Sequence, residues 1–205
     1  MNMVKYDLNK RPTKGAQRTL RAFSSAMFEL LELKSFEAIS VNELCQRSDY
    51  PRATFYNYFD DKYDLVNYCW YLLATEIRVG EAPKLSPDEI LVTYFDRLYR
   101  FFAHHHRQMT AILQHNDIDE TLIASFTNYL KQTVRTIFRQ VLGDLQLNIP
   151  TELLVTQCSD TLLNLIEWIF LQDKPTTLDE AHRYLSILIG NSKKVVVPGV
   201  CAPNE

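Results

Sequence analysis

The segment YPRATFYNYFDDKYDL, residues 50–65, carries more chemical information than any other part of the chain. It holds six aromatic residues in sixteen, and single-residue propensity favours a β-strand at its centre, TFYNYF. Two neighbours indicate a helix instead. Pro51 suits the first turn of a helix, and Asp61 with Asp64 caps a second helix immediately afterwards. We therefore predict a short helix over residues 52–59.

The side chains of this short helix sort by role when they are placed about 100° apart. One face carries Arg52, Ala53, Tyr56 and Asn57, and the opposite face carries Phe55 and Tyr58. Phe55, with Phe59 at the helix end, is expected to pack on the preceding helices. The outward groups of Arg52, Tyr56 and Asn57 are of the kinds that reach phosphates or base edges.

Two helices are predicted before this segment and one directly after it. Apolar residues recur at helical spacing from about Thr13 to Leu33. Ser40, with Glu43 three positions on, is a capping box that begins a short second helix. A fourth, longer helix runs from Lys62 to about Arg78. Three helices with a tight turn before the third are typical of a helix-turn-helix DNA-binding domain.

The rest of the chain also has helical periodicity, and no stretch reads as a strand. We predict an all-α fold of about nine helices, in which the N-terminal unit is joined by the fourth helix to a C-terminal helical bundle. The segment VGEAPKLS, residues 79–86, marks the boundary. The predicted divisions are a basic arm at 1–12, the helix-turn-helix domain with its connecting helix at 13–78, a C-terminal domain at 79–192 and a tail at 193–205.

Composition and motifs exclude several classes of protein. The longest apolar stretch, residues 162–171, is too short to cross a membrane, and the N-terminus has no apolar block typical of a secretory signal, so we expect a cytoplasmic protein. No glycine-rich phosphate loop is present, and no cofactor is indicated. The four cysteines form no CxxC pair and are interpreted as free thiols. The first 21 residues hold six Lys or Arg against Asp7 alone, which favours contact with a polyanion, although a solvated tail explains the charge nearly as well.

Residues 13–75 closely resemble the TetR/AcrR family of one-component transcriptional regulators. The resemblance is sharpest over FEAISVNEL, RATFYNYF and DKYDL, within residues 36–65. The positions that match the family's third helix in order and spacing are Ala53, Thr54, Phe55, Tyr56, Phe59 and Lys62. The family implies a dimeric, double-stranded-DNA-binding regulator, usually a repressor of a palindromic operator, whose affinity is modulated by a small-molecule effector.

The resemblance also implies which residues contact DNA. Thr54, Tyr56 and Lys62 would bind phosphates, Ser40 would add a backbone contact, and Arg52 and Asn57 would lie where bases or backbone are met. This assignment agrees with the chemistry of phosphate and guanine recognition. Three positions depart from the family pattern, namely Asp49 for glycine, Tyr50 for valine or isoleucine and Pro51 for serine. They put the docking angle in doubt, but they leave the fold prediction intact.

Two further sites are implied for the C-terminal half. An effector pocket between bundle helices would be lined by Tyr94, Leu98, Phe101, Phe102, Phe126 and Tyr129, although each of these is more often a core residue. The last two helices carry more apolar surface than one bundle layer hides, and in the family this pair forms the dimer interface. The expected interface residues are Leu165, Trp168, Ile169, Tyr184 and Leu188.

Alternatives remain open for the histidine run and for the function. His104, His105 and His106 would point about 100° apart on a continuous helix, so we predict a polar helix end and no metal site. A C-terminal domain that binds a partner protein is a second possibility. FYNYFDDKYDL weakly resembles a subgroup that coactivates dihydroxyacetone kinase operons by binding a kinase subunit. An all-α enzyme is the third, but no nucleophile–base spacing or paired carboxylates support it.

Overall fold

The computed structural model describes residues 5–7, 12–78, 87–118, 121–143 and 148–190. Within these ranges every regular element is a helix, which confirms the predicted all-α class. The elements are α1 (Lys14–Leu31), the 3₁₀ helix η1 (Phe36–Ala38), α2 (Val41–Ser48), α3 (Arg52–Tyr58), α4 (Lys62–Glu76), α5 (Pro87–His104), α6 (His106–Leu113), α7 (Thr121–Leu142), α8 (Thr151–Phe170) and α9 (Leu178–Ile189).

Local sequence signals place several helix ends. The side chain of Thr13 accepts a hydrogen bond from the Ala16 N–H at the start of α1, and Thr177 with Glu180 forms a capping box at the start of α9. Asp61 caps α4, because its carboxylate accepts the Asp64 N–H at 2.8 Å. Helix α3 begins at Arg52, as predicted, and ends at Tyr58, one residue earlier than predicted. Pro51 is its N-cap residue, with extended backbone.

The described residues divide into two compact units. One comprises the residues up to Glu76 together with His106–Phe126, and the other comprises Ile77–His105 and the residues from Thr127 onward. The sequence-based domain boundary within 79–86 stays a prediction, because that segment and the tail at 193–205 lie outside the described residues. None of the described helices is both long and apolar enough to cross a membrane.

The first unit has an aromatic and aliphatic core. Its largest fully buried side chains are Phe23, Phe55, Phe59, Leu20, Met27, Leu31, Leu44 and Leu65. Helix α6 and the start of α7 belong to the same unit. Trp70 of α4 donates from Nε1 to the Ser125 hydroxyl at 3.0 Å, and its ring lies 4.8 Å from that of Phe126. Gln108 of α6 donates to the Glu32 carboxylate at 2.6 Å.

The second unit contains α5, most of α7, α8 and α9. Tyr94, Phe95 and Phe138 are among its fully buried side chains. Polar contacts also join its helices, because the Tyr99 hydroxyl donates to the Thr176 carbonyl at 2.7 Å and Arg135 of α7 donates to the Asp160 carboxylate of α8 at 3.0 and 3.1 Å. The helices are therefore fixed by apolar burial and a few specific side-chain bonds.

Candidate nucleic-acid interface

The turn between α2 and α3 sets the direction of α3. Asp49 ends α2 in the left-handed region, with φ 58° and ψ 36°, a conformation that glycine adopts most readily. The Tyr50 N–H then donates to the Cys45 carbonyl at 3.1 Å. The Tyr50 ring packs 5.6 Å from that of Phe23, so the unusual aromatic residue is held against α1. Asp tolerates this backbone conformation better than most residues, which explains how the turn forms without glycine.

The inner face of α3 is apolar and fully covered. Phe55 and Phe59 are completely buried, and the Phe55 ring meets the Phe23 ring edge-on at 5.3 Å. The two rings also contact each other at 5.5 Å. This packing confirms that the aromatic segment forms a helix whose apolar side holds it on α1, and it leaves the other side of α3 to solvent.

The outer face of α3 exposes Arg52, Ala53, Tyr56 and Asn57, as the helical wheel predicts. Thr54 is half-buried. The Arg52 guanidinium donates to the Asn42 side-chain oxygen at 2.8 Å and to the Tyr56 hydroxyl at 3.2 Å. These three side chains form one polar cluster that spans α2 and α3.

Asn42 belongs to this cluster and was missed by the sequence analysis. The available signal was its position in the first turn of α2, directly after the Ser40 cap. That turn presents backbone N–H groups at a helix N-terminus, where anions bind favourably. The spacing of Asn42 from Arg52 along the chain did not reveal that their side chains meet.

Ser40 is held in a complete capping box. Its hydroxyl accepts the Glu43 N–H at 3.3 Å and donates to the Glu43 carboxylate at 2.8 Å, and its own N–H donates to the same carboxylate at 3.0 Å. Lys34 also pairs with Glu43. Hydrogen bonds from Lys34 and from Ser40 lower the pKa of Glu43 from its ordinary 4.5 to about 2. The cap is therefore ionised and fixed near neutral pH.

Lys62 lies at the start of α4 with most of its side chain covered. Its ammonium donates to the carbonyl oxygens of Phe36 and Glu37 at 3.0 and 2.9 Å and lies 3.6 Å from the Glu37 carboxylate. Two of its three N–H donors are thus given to η1. Lys62 therefore connects α4 to the segment that precedes the Ser40 cap.

The residues predicted to line an effector pocket are mostly packed as core. Tyr94 and Leu98 are fully buried, and Phe102 stacks on Phe170 at 5.5 Å. Phe126 lies in the first unit against Trp70. The remaining two members of the set are Phe101, which is buried, and Tyr129, which is half-buried.

The residues predicted for the dimer interface divide by exposure. Leu165 and Ile169 are buried within the second unit, whereas Trp168 and Leu188 are 39% and 58% exposed. The Tyr184 ring packs edge-on against Trp168 at 6.2 Å. Ile187, next to Leu188, is 69% exposed, although it was not among the residues predicted for the interface. The exposed large apolar side chains of this pair of helices are Trp168, Ile187 and Leu188, together with Leu153 near the start of α8.

The histidine run coincides with a helix break. His104 ends α5, His105 lies in the turn and His106 begins α6. Because the helix breaks here, the 100° spacing of a continuous helix no longer prevents the three histidines from pointing at one ion. In the described part of the chain, however, no three His, Cys, Asp or Glu residues are grouped as a metal site. His105 instead packs on Phe101, with ring centroids 4.6 Å apart.

These features define an all-α DNA-binding protein of the helix-turn-helix class. Residues 25–69 match the model of the tetR family of bacterial regulatory proteins, over the second half of α1 through the first half of α4. The helix-turn-helix segment of this chain is therefore similar to that of the TetR-family bacterial regulatory proteins. No curated protein is detectably similar to it over its sequence.

Solved structures share the whole fold at low sequence identity. A Syntrophomonas wolfei protein assigned to the TetR-family transcriptional regulators is 16% identical, with a TM-score of 0.65 over 91% of this chain and 100% of its own. A TetR transcriptional regulator from Streptococcus agalactiae is 19% identical, with a TM-score of 0.56 over 84% and 94%. The dihydroxyacetone kinase operon activator DhaS is 14% identical, with a TM-score of 0.57 over 87% and 98%.

Proposed function

We propose that the protein is a homodimeric, cytoplasmic repressor that binds a palindromic operator and releases it when a small molecule binds its C-terminal domain. The observation that carries the DNA-binding part is the outer face of α3. There the Arg52 and Tyr56 side chains form one exposed polar cluster with Asn42 of α2, and the opposite face of α3 is buried in the core.

The proposed contacts divide by chemistry. Arg52 and Asn57 meet base edges in the major groove, because a guanidinium grips guanine with two donors and an amide reads adenine. Thr54, Tyr56 and Lys62 bind phosphates, and the backbone at Ser40 adds one more at the N-terminus of α2. Asn42 holds the Arg52 guanidinium in the direction needed for reading bases.

The dimer part of the proposal rests on the exposed apolar side chains of α8 and α9. Trp168, Ile187 and Leu188 are large apolar side chains exposed to solvent, and a second copy would cover them. A two-fold dimer presents two α3 helices to two half-sites, which matches a palindrome. Light scattering at micromolar concentration should give twice the 23.9 kDa chain mass. The Leu188→Glu variant should give the monomer mass, and a wild-type monomer would refute the dimer.

The DNA-binding proposal is tested on a duplex that the wild-type protein selects from a randomised pool. Arg52→Ala should weaken binding about 5- to 150-fold, the range for one bidentate base contact. Arg139→Ala removes an exposed arginine of the second unit that pairs with Glu152, and it should bind as wild type does. Equal affinity of Arg52→Ala and wild type would contradict the assignment of α3.

A C-terminal domain that binds a partner protein is the second candidate function. It is supported by the FYNYFDDKYDL resemblance and by the fold shared with the activator DhaS. A melting screen against small molecules and a pull-down with a dihydroxyacetone kinase subunit separate the two candidates. A small molecule that raises the melting temperature of the protein and also weakens its binding to the selected duplex supports the small-molecule effector.

A further inference from the structure

The described residues at the N-terminus pack on the end of α3 and the start of α4. The Lys5 backbone N–H donates to both Asp64 carboxylate oxygens, at 3.0 and 3.2 Å. The Lys5 ammonium donates to the Tyr56 carbonyl at 2.8 Å and pairs with the Asp60 carboxylate at 3.0 Å. A single residue thus contacts the last turn of α3, the following turn and the first turn of α4.

The contacts around Lys5 are partly shielded from solvent. Asp64 is buried, and its carboxyl group also accepts the Asp60 N–H at 3.0 Å. Tyr6 packs between two aromatic residues, 6.0 Å from the Tyr58 ring and 6.2 Å from the Tyr68 ring, which it meets edge-on. A buried carboxylate that receives hydrogen bonds from two segments fixes those segments relative to each other.

The Tyr56 carbonyl is well placed to respond to a cation. It lies in the last turn of α3, where unpaired carbonyls carry partial negative charge that a lysine stabilises. Helix α3 has only seven residues and is too short to be stable by itself, so its orientation depends on what holds its ends. Lys5 holds the C-terminal end of α3 through the backbone carbonyl of Tyr56. The Tyr56 side chain is part of the exposed polar cluster.

We propose that Lys5 and Tyr6 form an N-terminal clamp that positions the recognition helix α3 for DNA. Lys5 is a positioning residue that acts through Tyr56 and Asp60 and does not itself bind phosphate. This inference rests on the proposed DNA-binding function and extends it to a segment outside the helix-turn-helix.

A direct phosphate contact by Lys5 is the competing explanation, and the two differ in measurable ways. Losing one phosphate contact lowers the slope of log affinity against log salt by about 1 and weakens binding to all sequences alike. Losing a positioning contact leaves the slope unchanged and reduces the preference for the selected duplex over random duplex.

The experiment is a charge-swap cycle on the full chain. Lys5→Glu, Asp60→Lys and the double variant are titrated with the wild-type-selected duplex and with random duplex at several salt concentrations. Lys131→Glu is the matched control, since Lys131 forms a comparable ion pair with Asp160 in the second unit. Amide hydrogen exchange of the free protein at Phe59 and Asp60 is measured on the same variants.

The clamp predicts that Lys5→Glu loses about two- to tenfold in specific affinity with an unchanged salt slope, by analogy with a cation at a helix C-terminus. It also predicts faster exchange at Phe59 and Asp60 and partial recovery of both properties in the double variant. The clamp is overturned if Lys5→Glu binds the selected duplex as tightly as wild type does. It is also overturned if Lys5→Glu lowers the salt slope and the double variant does not recover affinity. If no duplex is selected, the proposed function fails, and the exchange data still decide whether the clamp exists.

Discussion

The ammonium group of Lys62 lies 4.7 Å from the centroid of the Phe36 ring and donates a 3.0 Å hydrogen bond to the carbonyl oxygen of the same residue. A second bond, to the Glu37 carbonyl, leaves the Lys62 side chain only 15% exposed. The start of α4 is therefore tied to η1, directly before the Ser40 cap of α2. The residue that family resemblance assigns to phosphate also has a structural role.

Lys62→Met should lower the free energy of unfolding by about 1 to 3 kcal/mol, because it removes a charged donor from two carbonyls and keeps the aliphatic stem. Urea denaturation measures this, with Lys174→Met, at an exposed position, as the control. If Lys62 also binds a phosphate, the salt slope of duplex binding falls by about 1 in the same variant. An unfolding midpoint equal to that of wild type would show that the carbonyl bonds contribute nothing.

Asn116→Ala should destabilise the first unit by about 1 to 3 kcal/mol, the cost of leaving buried polar groups without partners. The Asn116 side chain is 1% exposed, and its oxygen accepts the Phe36 N–H at 2.8 Å while its nitrogen donates to the Ile112 carbonyl at 3.0 Å. Thermal unfolding gives the measurement. Asn164→Ala, on the exposed face of α8, is the control, and an equally small effect in both variants would refute the role of Asn116.

The contrast between Ser40 and Asn116 indicates what the sequence could predict. The Ser40–Glu43 box depends on residues three apart in one helix turn, so local spacing reveals it, and the same holds for the Asp61 cap and the two faces of α3. Asn116 and Phe36 are 80 positions apart. Their meeting depends on how helices pack, and nothing in either local pattern encodes it.

The same reasoning explains the partial success on the candidate site. Arg52 could be assigned to the exposed face from periodicity, but its bond to Asn42 depends on the angle between α2 and α3. Periodicity placed Leu165 and Trp168 on the same apolar helix, yet only packing decides that Leu165 is covered and Trp168 is not. Lys5 was predicted only as part of a basic arm, because the charge of a segment does not reveal that it packs against α3 and α4.

Cys69 should resist thiol reagents in the folded protein. Burial raises the pKa of the Cys69 thiol to about 12, so the reactive thiolate is scarce near neutral pH. The side chain of Cys69, which projects from α4, is also fully buried, so a reagent cannot reach it in the folded protein. Peptide mapping after labelling with iodoacetamide should find Cys69 modified only once denaturant is added. Labelling of Cys69 at the same rate with and without denaturant would contradict its burial.

The acid sensitivity of the α2 cap provides the last prediction. The folded-state pKa of Glu43 is about 2, lowered from 4.5 by hydrogen bonds from Lys34 and Ser40. A depressed carboxylate pKa contributes stability that is fully present above the unfolded value and is lost as pH falls through the folded value. The contribution of Glu43 should therefore be complete above about pH 4.5 and decline towards about pH 2.

Glu43→Gln isolates this contribution, because glutamine can still accept the Ser40 N–H in the capping box but carries no charge for Lys34. Urea midpoints of wild type and Glu43→Gln should differ near neutral pH and converge as the solution is acidified to about pH 2. Other titrating carboxylates cancel in the difference between the two proteins. A difference that stays constant across this range would mean that the ionised form of Glu43 is not what stabilises the start of α2.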